Sequence, residues 1–212
     1  MTRTRLLRRS LLVILLVAVP IGCNRAKPPS DGLAAASGGT ATTFKATEVS
    51  GIDYGRGVVI ADTEGRPRRL EDFRDSVTVV FFGFASCPDI CPTTLTRLQQ
   101  VRKAMGPAGD RMRVLFVTVD PERDTPDRLR TYVKQFDPDF VGLRPEPAAL
   151  PAVVKSFHAI AVRMPIPDTD TYMMDHSAVL YVYDRATRLR LIVQPDFTVA
   201  DLAGDLSQLA RG

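Results

Sequence analysis

Cys87 and Cys91 stand four residues apart, each followed by proline, in the stretch Phe84-Ala-Ser-Cys87-Pro-Asp-Ile-Cys91-Pro-Thr-Thr94. An apolar run ends at Phe84 and a helical pattern begins near Pro92. A Cys-x-x-x-Cys at a strand-to-helix junction holds two thiols beside a helix N-terminus, where N–H groups and the dipole favour thiolates. Two soft thiolates that close together either bind a soft metal or exchange with a disulfide. A purely structural disulfide is the weakest reading, because so short a loop removes little entropy from the unfolded chain.

The second place with chemistry is Met173-Met174-Asp175-His176-Ser177, which closes a polar, proline-bearing loop over Pro165–Asp175 and enters a strand over Ala178–Tyr183. The chain has two histidines, and His176 is one of them. Imidazole plus two thiolates is a three-donor set suited to copper, trigonal for Cu(I) and expandable for Cu(II).

The elements that must position these residues read as one α/β domain. Val58–Ala61 is a short strand turned at Glu64-Gly65. Val77–Phe84 is a continuous apolar, β-branched and aromatic run, the mark of a buried central strand. Leu95, Leu98, Val101 and Met105 follow at helical spacing, and Arg113–Val119 is a second buried strand. Thr125-Pro126 supplies an N-cap with proline at the first helical position, and Leu129, Tyr132, Val133 and Phe136 form that helix's apolar face. A further helix is expected over Leu150–Phe157, a short strand over Ile160–Met164, and a hairpin from Ala178–Tyr183 and Leu189–Val193. Thr198 and Asp201 resemble a capping box for a last helix bearing Leu202, Leu206 and Leu209.

Strand, helix, strand, helix, hairpin, helix is the order of a thioredoxin-like fold: a central mixed sheet flanked by helices, here with an N-terminal β-hairpin extension. In such folds a cysteine pair follows the first core strand, where Cys87 and Cys91 lie. The position before the later hairpin faces that pair. It usually carries a cis-proline, and here it carries His176. Because proline disfavours the α conformation in the residue before it, Cys91 is expected just outside the helix.

Residues 1–22 read as a lipoprotein signal peptide. Arg3, Arg5, Arg8 and Arg9 precede the apolar run Leu11–Ile21, and Gly22-Cys23 follows. That run is shorter than the roughly 20 residues a membrane span needs. Cys23 is then the lipidated residue, and residues 23–45 form a flexible tether to a domain over 46–212. The four arginines account for the whole formal charge of +4. The rest of the chain is balanced, which argues against nucleic-acid binding. The location these features imply is extracytoplasmic, on the periplasmic face of a cell membrane.

Three motifs together resemble the Sco/SenC copper chaperones, which assist assembly of the copper centre of cytochrome c oxidase. They are Phe81-Phe-Gly-Phe-Ala-Ser-Cys87-Pro-Asp-Ile-Cys91-Pro-Thr-Thr-Leu95, Phe116-Val-Thr-Val-Asp120-Pro-Glu-Arg-Asp124-Thr-Pro126, and Asp175-His176-Ser177. The resemblance covers about residues 50–210 and implies that Cys87, Cys91 and His176 are the copper ligands, for Cu(I) and Cu(II). It names cytochrome c oxidase subunit II as the partner; other copper chaperones or a disulfide reductant are further candidate partners. The alternative is a thiol–disulfide oxidoreductase cycling Cys87 and Cys91 to keep a target's cysteines reduced. That would be the only enzymatic activity the chain calls for. A simple dithiol catalyst has no use for His176.

Other polar residues read as structural. Asp120-Pro121 and Asp124-Thr125-Pro126 make a turn and a cap. Asp175 suits loop capping as well as orienting His176, Asp89 is expected to face solvent, and His158 ends a helix. Met173 and Met174 offer thioethers but are expected to pack within the loop.

Overall fold

The computed structural model describes residues 43–212. Cys23, the signal segment and nearly all of the tether lie outside the described residues. In chain order the strands and α-helices are β1 Thr47–Glu48, β2 Ile60–Asp62, β3 Pro67–Arg68, β4 Val77–Gly83, α1 Ile90–Ala104, β5 Met112–Thr118, α2 Pro126–Lys134, β6 Val141–Arg144, α3 Leu150–Ser156, β7 Ala161–Pro165, β8 Tyr172–His176, β9 Leu180–Tyr183, β10 Leu189–Val193 and α4 Val199–Arg211.

Eight strands form one mixed sheet in the order β1-β10-β9-β4-β5-β6-β2-β3, and β7 pairs only with β8. All seven residues of β4 are buried. It runs parallel to β5 and antiparallel to β9. A strand covered on both faces cannot alternate polar and apolar residues, so the unbroken apolar run is what burial requires. The parallel step from β4 to β5 needs a crossover, and α1 provides it, burying Leu95, Leu98 and Val101 against the sheet. Thr125 Oγ1 accepts from Arg128 N at 3.3 Å, and Thr198 Oγ1 from Asp201 N at 3.1 Å, so both expected N-caps form. The β2–β3 pair turns at Gly65, whose φ of 78° suits glycine. This is the thioredoxin-like architecture with its N-terminal hairpin.

Two local expectations are corrected, and one strand is added. Helix α1 begins at Ile90, so Cys91 lies inside its first turn. Pro92 is tolerated there because N–H groups of the first turn have no intrahelical acceptor to lose. Much of the expected loop over Pro165–Asp175 is strand: β7 and β8 pair from Ala161↔His176 to Pro165↔Tyr172, placing His176 at the base of a hairpin. Strand β6, unrecognised in the sequence, pairs parallel to β5 and antiparallel to β2, joining the N-terminal hairpin to the core. Among the described residues, no helix is long and apolar enough to cross a membrane.

Candidate metal centre

Cys87 lies in the turn after β4, where Cys87 N donates to Phe84 O at 3.1 Å. Cys91 follows one helical turn later, and its backbone N–H points at Cys87 Sγ across 3.4 Å. The helix terminus thus holds the first sulfur with an otherwise unpaired donor. Cys87 is 9% exposed and Cys91 fully buried. Gly83, the last residue of β4, makes room for the second sulfur: a Cβ there would sit 2.7 Å from Cys91 Sγ and 2.6 Å from the Phe116 ring.

His176 completes the group. Its Nε2 lies 3.5 Å from Cys91 Sγ, and its Nδ1 lies 3.1 Å from Ser177 O. A carbonyl oxygen only accepts, so Nδ1 carries a proton, and Nε2 is the ring atom turned toward the sulfurs. The ring stands edge-on to Phe81 and Phe84, with centroids 6.3 and 5.8 Å away. The three donor atoms lie within 4.8 Å of one another. A trigonal ion with bonds of about 2.0–2.3 Å spaces its donors by about 3.5–4 Å, so about an ångström of closing suffices.

The two sulfurs are not equivalent. The bond from the Cys91 thiol, joined by the His176 ring and the N–H groups of Cys91 and Asp89, outweighs burial and pulls Cys87 down to about 4. The same contact and burial push Cys91 well above the ordinary thiol range. The metal-free pair is therefore one thiolate and one thiol, and a metal that takes both sulfurs expels the Cys91 proton. A thiolate, not a thiol, attacks an alkylating agent. Cys87 of the reduced, metal-free protein is therefore expected to react with iodoacetamide at a rate nearly flat from about pH 6 to about pH 8. A rate that climbs tenfold per pH unit across that window, read by mass spectrometry, would contradict the assignment.

The motif Asp120–Pro126 does more than form a turn. Asp124 is fully buried. Its Oδ2 accepts from Ala85 N at 3.0 Å and from Thr118 Oγ1 at 2.6 Å, pinning the cysteine loop to the end of β5. Burial raises the Asp124 carboxyl above its ordinary range. Arg128 bonds Ser86 Oγ at 2.6 Å, bracing the same loop from α2. Asp120 pairs with Arg123 and accepts from Tyr172 Oη at 2.8 Å. Arg123 also donates to Tyr172 O at 2.9 Å and lies 3.8 Å above its ring. These contacts fasten β8, and so His176, to the end of β5. The Asp-Pro-Glu-Arg sequence at a strand terminus was the available signal for this clamp.

The remaining expectations fall as follows. Asp89 is exposed. Asp175 faces solvent and makes no side-chain bond to His176. His158 stacks on Tyr54 at 4.4 Å, away from the centre. Met173 and Met174 occupy opposite faces of β8, with Met174 against the core and Met173 outside.

The fold and centre define a class: a thioredoxin-like domain whose cysteine pair is completed by a histidine from a neighbouring hairpin. The SCO1/SenC family model matches residues 51–211, and the chain belongs to that family. A SCO2-like protein of Rickettsia felis is 32% identical over 134 residues, 63% of this chain and 65% of the relative. The chain thus spans just under two thirds of that relative's length. A solved structure of Bradyrhizobium japonicum ScoI with copper bound is 35% identical, with a TM-score of 0.64, covering 71% of this chain and 95% of that one. The apo Sco1 protein of Thermus thermophilus is 34% identical, with a TM-score of 0.66, covering 81% and 98%.

Proposed function

We propose that this chain is a copper-binding assembly factor that holds one copper ion on Cys87, Cys91 and His176 and passes it to the copper centre of cytochrome c oxidase subunit II. The observation that carries this reading is the convergence of two sulfurs and one imidazole nitrogen within 4.8 Å, next to a helix N-terminus. Soft sulfur with imidazole selects copper over harder ions. The similarity to a copper-bound ScoI supports the choice of metal, and the family resemblance supports the oxidase as recipient. In this reading residues 1–22 direct export, a lipid on Cys23 ties the chain to the outer face of the cell membrane, and the following segment is the tether. Tethering keeps the site near a membrane-bound acceptor, raising its effective concentration.

A second reading has its own support. A Cys87 thiolate beside a buried Cys91 thiol suits thiol–disulfide exchange, with Cys87 attacking and Cys91 resolving. Deleting the gene and restoring it with variants separates the two. Oxidase activity in the deletion strain is expected to fall most under copper scarcity and to recover in part with added copper. His176→Ala should behave like the deletion if copper delivery is the task. It should keep most activity if dithiol reduction is. Normal oxidase assembly in the deletion strain at limiting copper would refute the proposal.

A further inference from the structure

Five large apolar side chains are exposed among the described residues, and four of them, Ile160, Val162, Met164 and Met173, sit on or beside the β7–β8 hairpin. Side chains on paired strands alternate between faces. Tyr172, Met174 and His176 point inward from β8, while Met173 and Asp175 point out. Met164 is directly opposite Met173 and Val162 opposite Asp175. The outer face therefore carries two thioethers side by side, flanked by a valine and a carboxylate.

The pairing has a definite geometry. Ser177 N donates to Ile160 O and Ile166 N to Thr171 O. In an antiparallel ladder the hydrogen-bonded pairs recur at every second position, which makes Met164–Met173 one of them, with Cα atoms about 5.5 Å apart. Two sulfurs gripping one ion stand about 4.6 Å apart, twice a metal–sulfur bond of about 2.3 Å. Two unbranched side chains starting from that spacing reach this without moving the backbone.

The two methionines are also out of place as packing residues. Met105 and Met112 are buried, as methionine usually is. Met164 is 50% exposed and Met173 36%. Thioethers ligate soft ions such as Cu(I) and leave calcium and magnesium to oxygen donors. The exposed Asp175 carboxylate on the same face adds attraction for a cation. Met173 is three positions from His176 along β8, about 10 Å.

We propose that Met164 and Met173 form a second, weaker site for one Cu(I) ion, on the outer face of the hairpin whose inner end bears His176. The inference deepens the copper reading above and rests on it. An uncharged thioether pair holds Cu(I) more loosely than a thiolate pair does, so the outer site captures the ion and yields it to Cys87 and Cys91. No electron transfer is involved. The ion stays monovalent and exchanges one set of sulfur donors for another.

The test uses full-length protein in detergent, with methionine methyl groups labelled with carbon-13. Silver(I) serves as a redox-inert probe with the charge and softness of Cu(I). Cys87→Ser/Cys91→Ser/His176→Ala removes the inner site; wild-type chain oxidised to the Cys87–Cys91 disulfide does so without mutation, in case the triple variant fails to fold. In either form, Met164 and Met173 signals should shift together, saturating near one silver per chain, while Met105 and Met112 stay still. Met164→Leu should weaken silver binding at Met173 by more than about tenfold, and Met173→Leu should do the same at Met164. Signals that stay still, or shift independently of each other, would overturn the site. Still signals would leave this face as an apolar protein contact. Failure of the copper reading looks different: wild-type reduced protein would bind no Cu(I) through Cys87, Cys91 and His176, whatever the methionine signals do.

Discussion

Replacing Cys91 by serine is expected to abolish tight copper binding and leave the fold in place. Cys91 is fully buried, and its sulfur bonds the Cys87 side chain and lies 3.5 Å from His176 Nε2. Serine is isosteric enough to sit there, but its oxygen is a hard donor that Cu(I) does not favour. The loss in Cu(I) affinity should exceed about a hundredfold, above the 10–100-fold that loss of a merely supporting group costs. At about 1.4 kcal/mol per decade that is more than about 3 kcal/mol. The Cu(II) form should lose most of its thiolate-to-copper absorption. His176→Ala should act differently: Cu(I) accepts two thiolates alone, so Cu(II) binding should suffer more. Anaerobic titration against a competing chelator reads the first, and absorption spectroscopy the second. Wild-type spectra in the Cys91 variant would remove it from the ligand set.

Gly83→Ala is expected to damage the centre without removing any donor. The added methyl would lie 2.6 Å from the Phe116 ring and 2.7 Å from Cys91 Sγ. Phe116 is fully buried between Phe81 and Tyr132, with ring centroids 5.8 and 5.5 Å away, and has nowhere to swing. The displacement therefore falls on Cys91. Overpacking of this kind costs about 1–3 kcal/mol of stability. Copper affinity should fall with it, because the sulfur is pushed off the position His176 Nε2 faces. Chemical denaturation and Cu(I) competition on the same preparation measure both effects. A stability loss with unchanged affinity would show that the Gly83 contact does not set the Cys91 position.

Much of this architecture was legible because burial writes itself into composition. The run Val77–Gly83 has no polar break apart from Thr78, since β4 is covered on both faces. Thr125-Pro126 and Thr198-Asp201 announced two helix starts by cap chemistry. The meeting of Cys87, Cys91 and His176 was legible from Cys-x-x-x-Cys and from the place of His176 in the element order, and Nε2 does stand 3.5 Å from Cys91 Sγ. The misread parts share a cause. The β7–β8 hairpin is partnered by nothing else among the described strands, so its sequence shows no clean alternation, and Pro165 and Pro167 near its turn imitate a loop. Strand β6 is four residues long and contains Gly142, which lets Leu129 of α2 approach closely. Cys91 was placed outside α1 by a proline rule that has little force in a first turn. The Asp120–Arg123–Tyr172 clamp spans residues distant in sequence, and side-chain pairing at that range leaves no periodic trace.

The most direct test of the central claim is X-ray absorption at the copper edge of protein loaded with one equivalent of Cu(I) under anaerobic conditions. Two sulfur neighbours at about 2.3 Å and one nitrogen neighbour at about 2.0 Å are expected, the sulfur pair vanishing when Cys87 and Cys91 are both replaced by serine in a chain that also carries Met164→Leu and Met173→Leu. A first shell of nitrogen and oxygen alone in the wild-type chain, or a sulfur shell that survives loss of both cysteines and both methionines, would contradict copper binding at Cys87, Cys91 and His176.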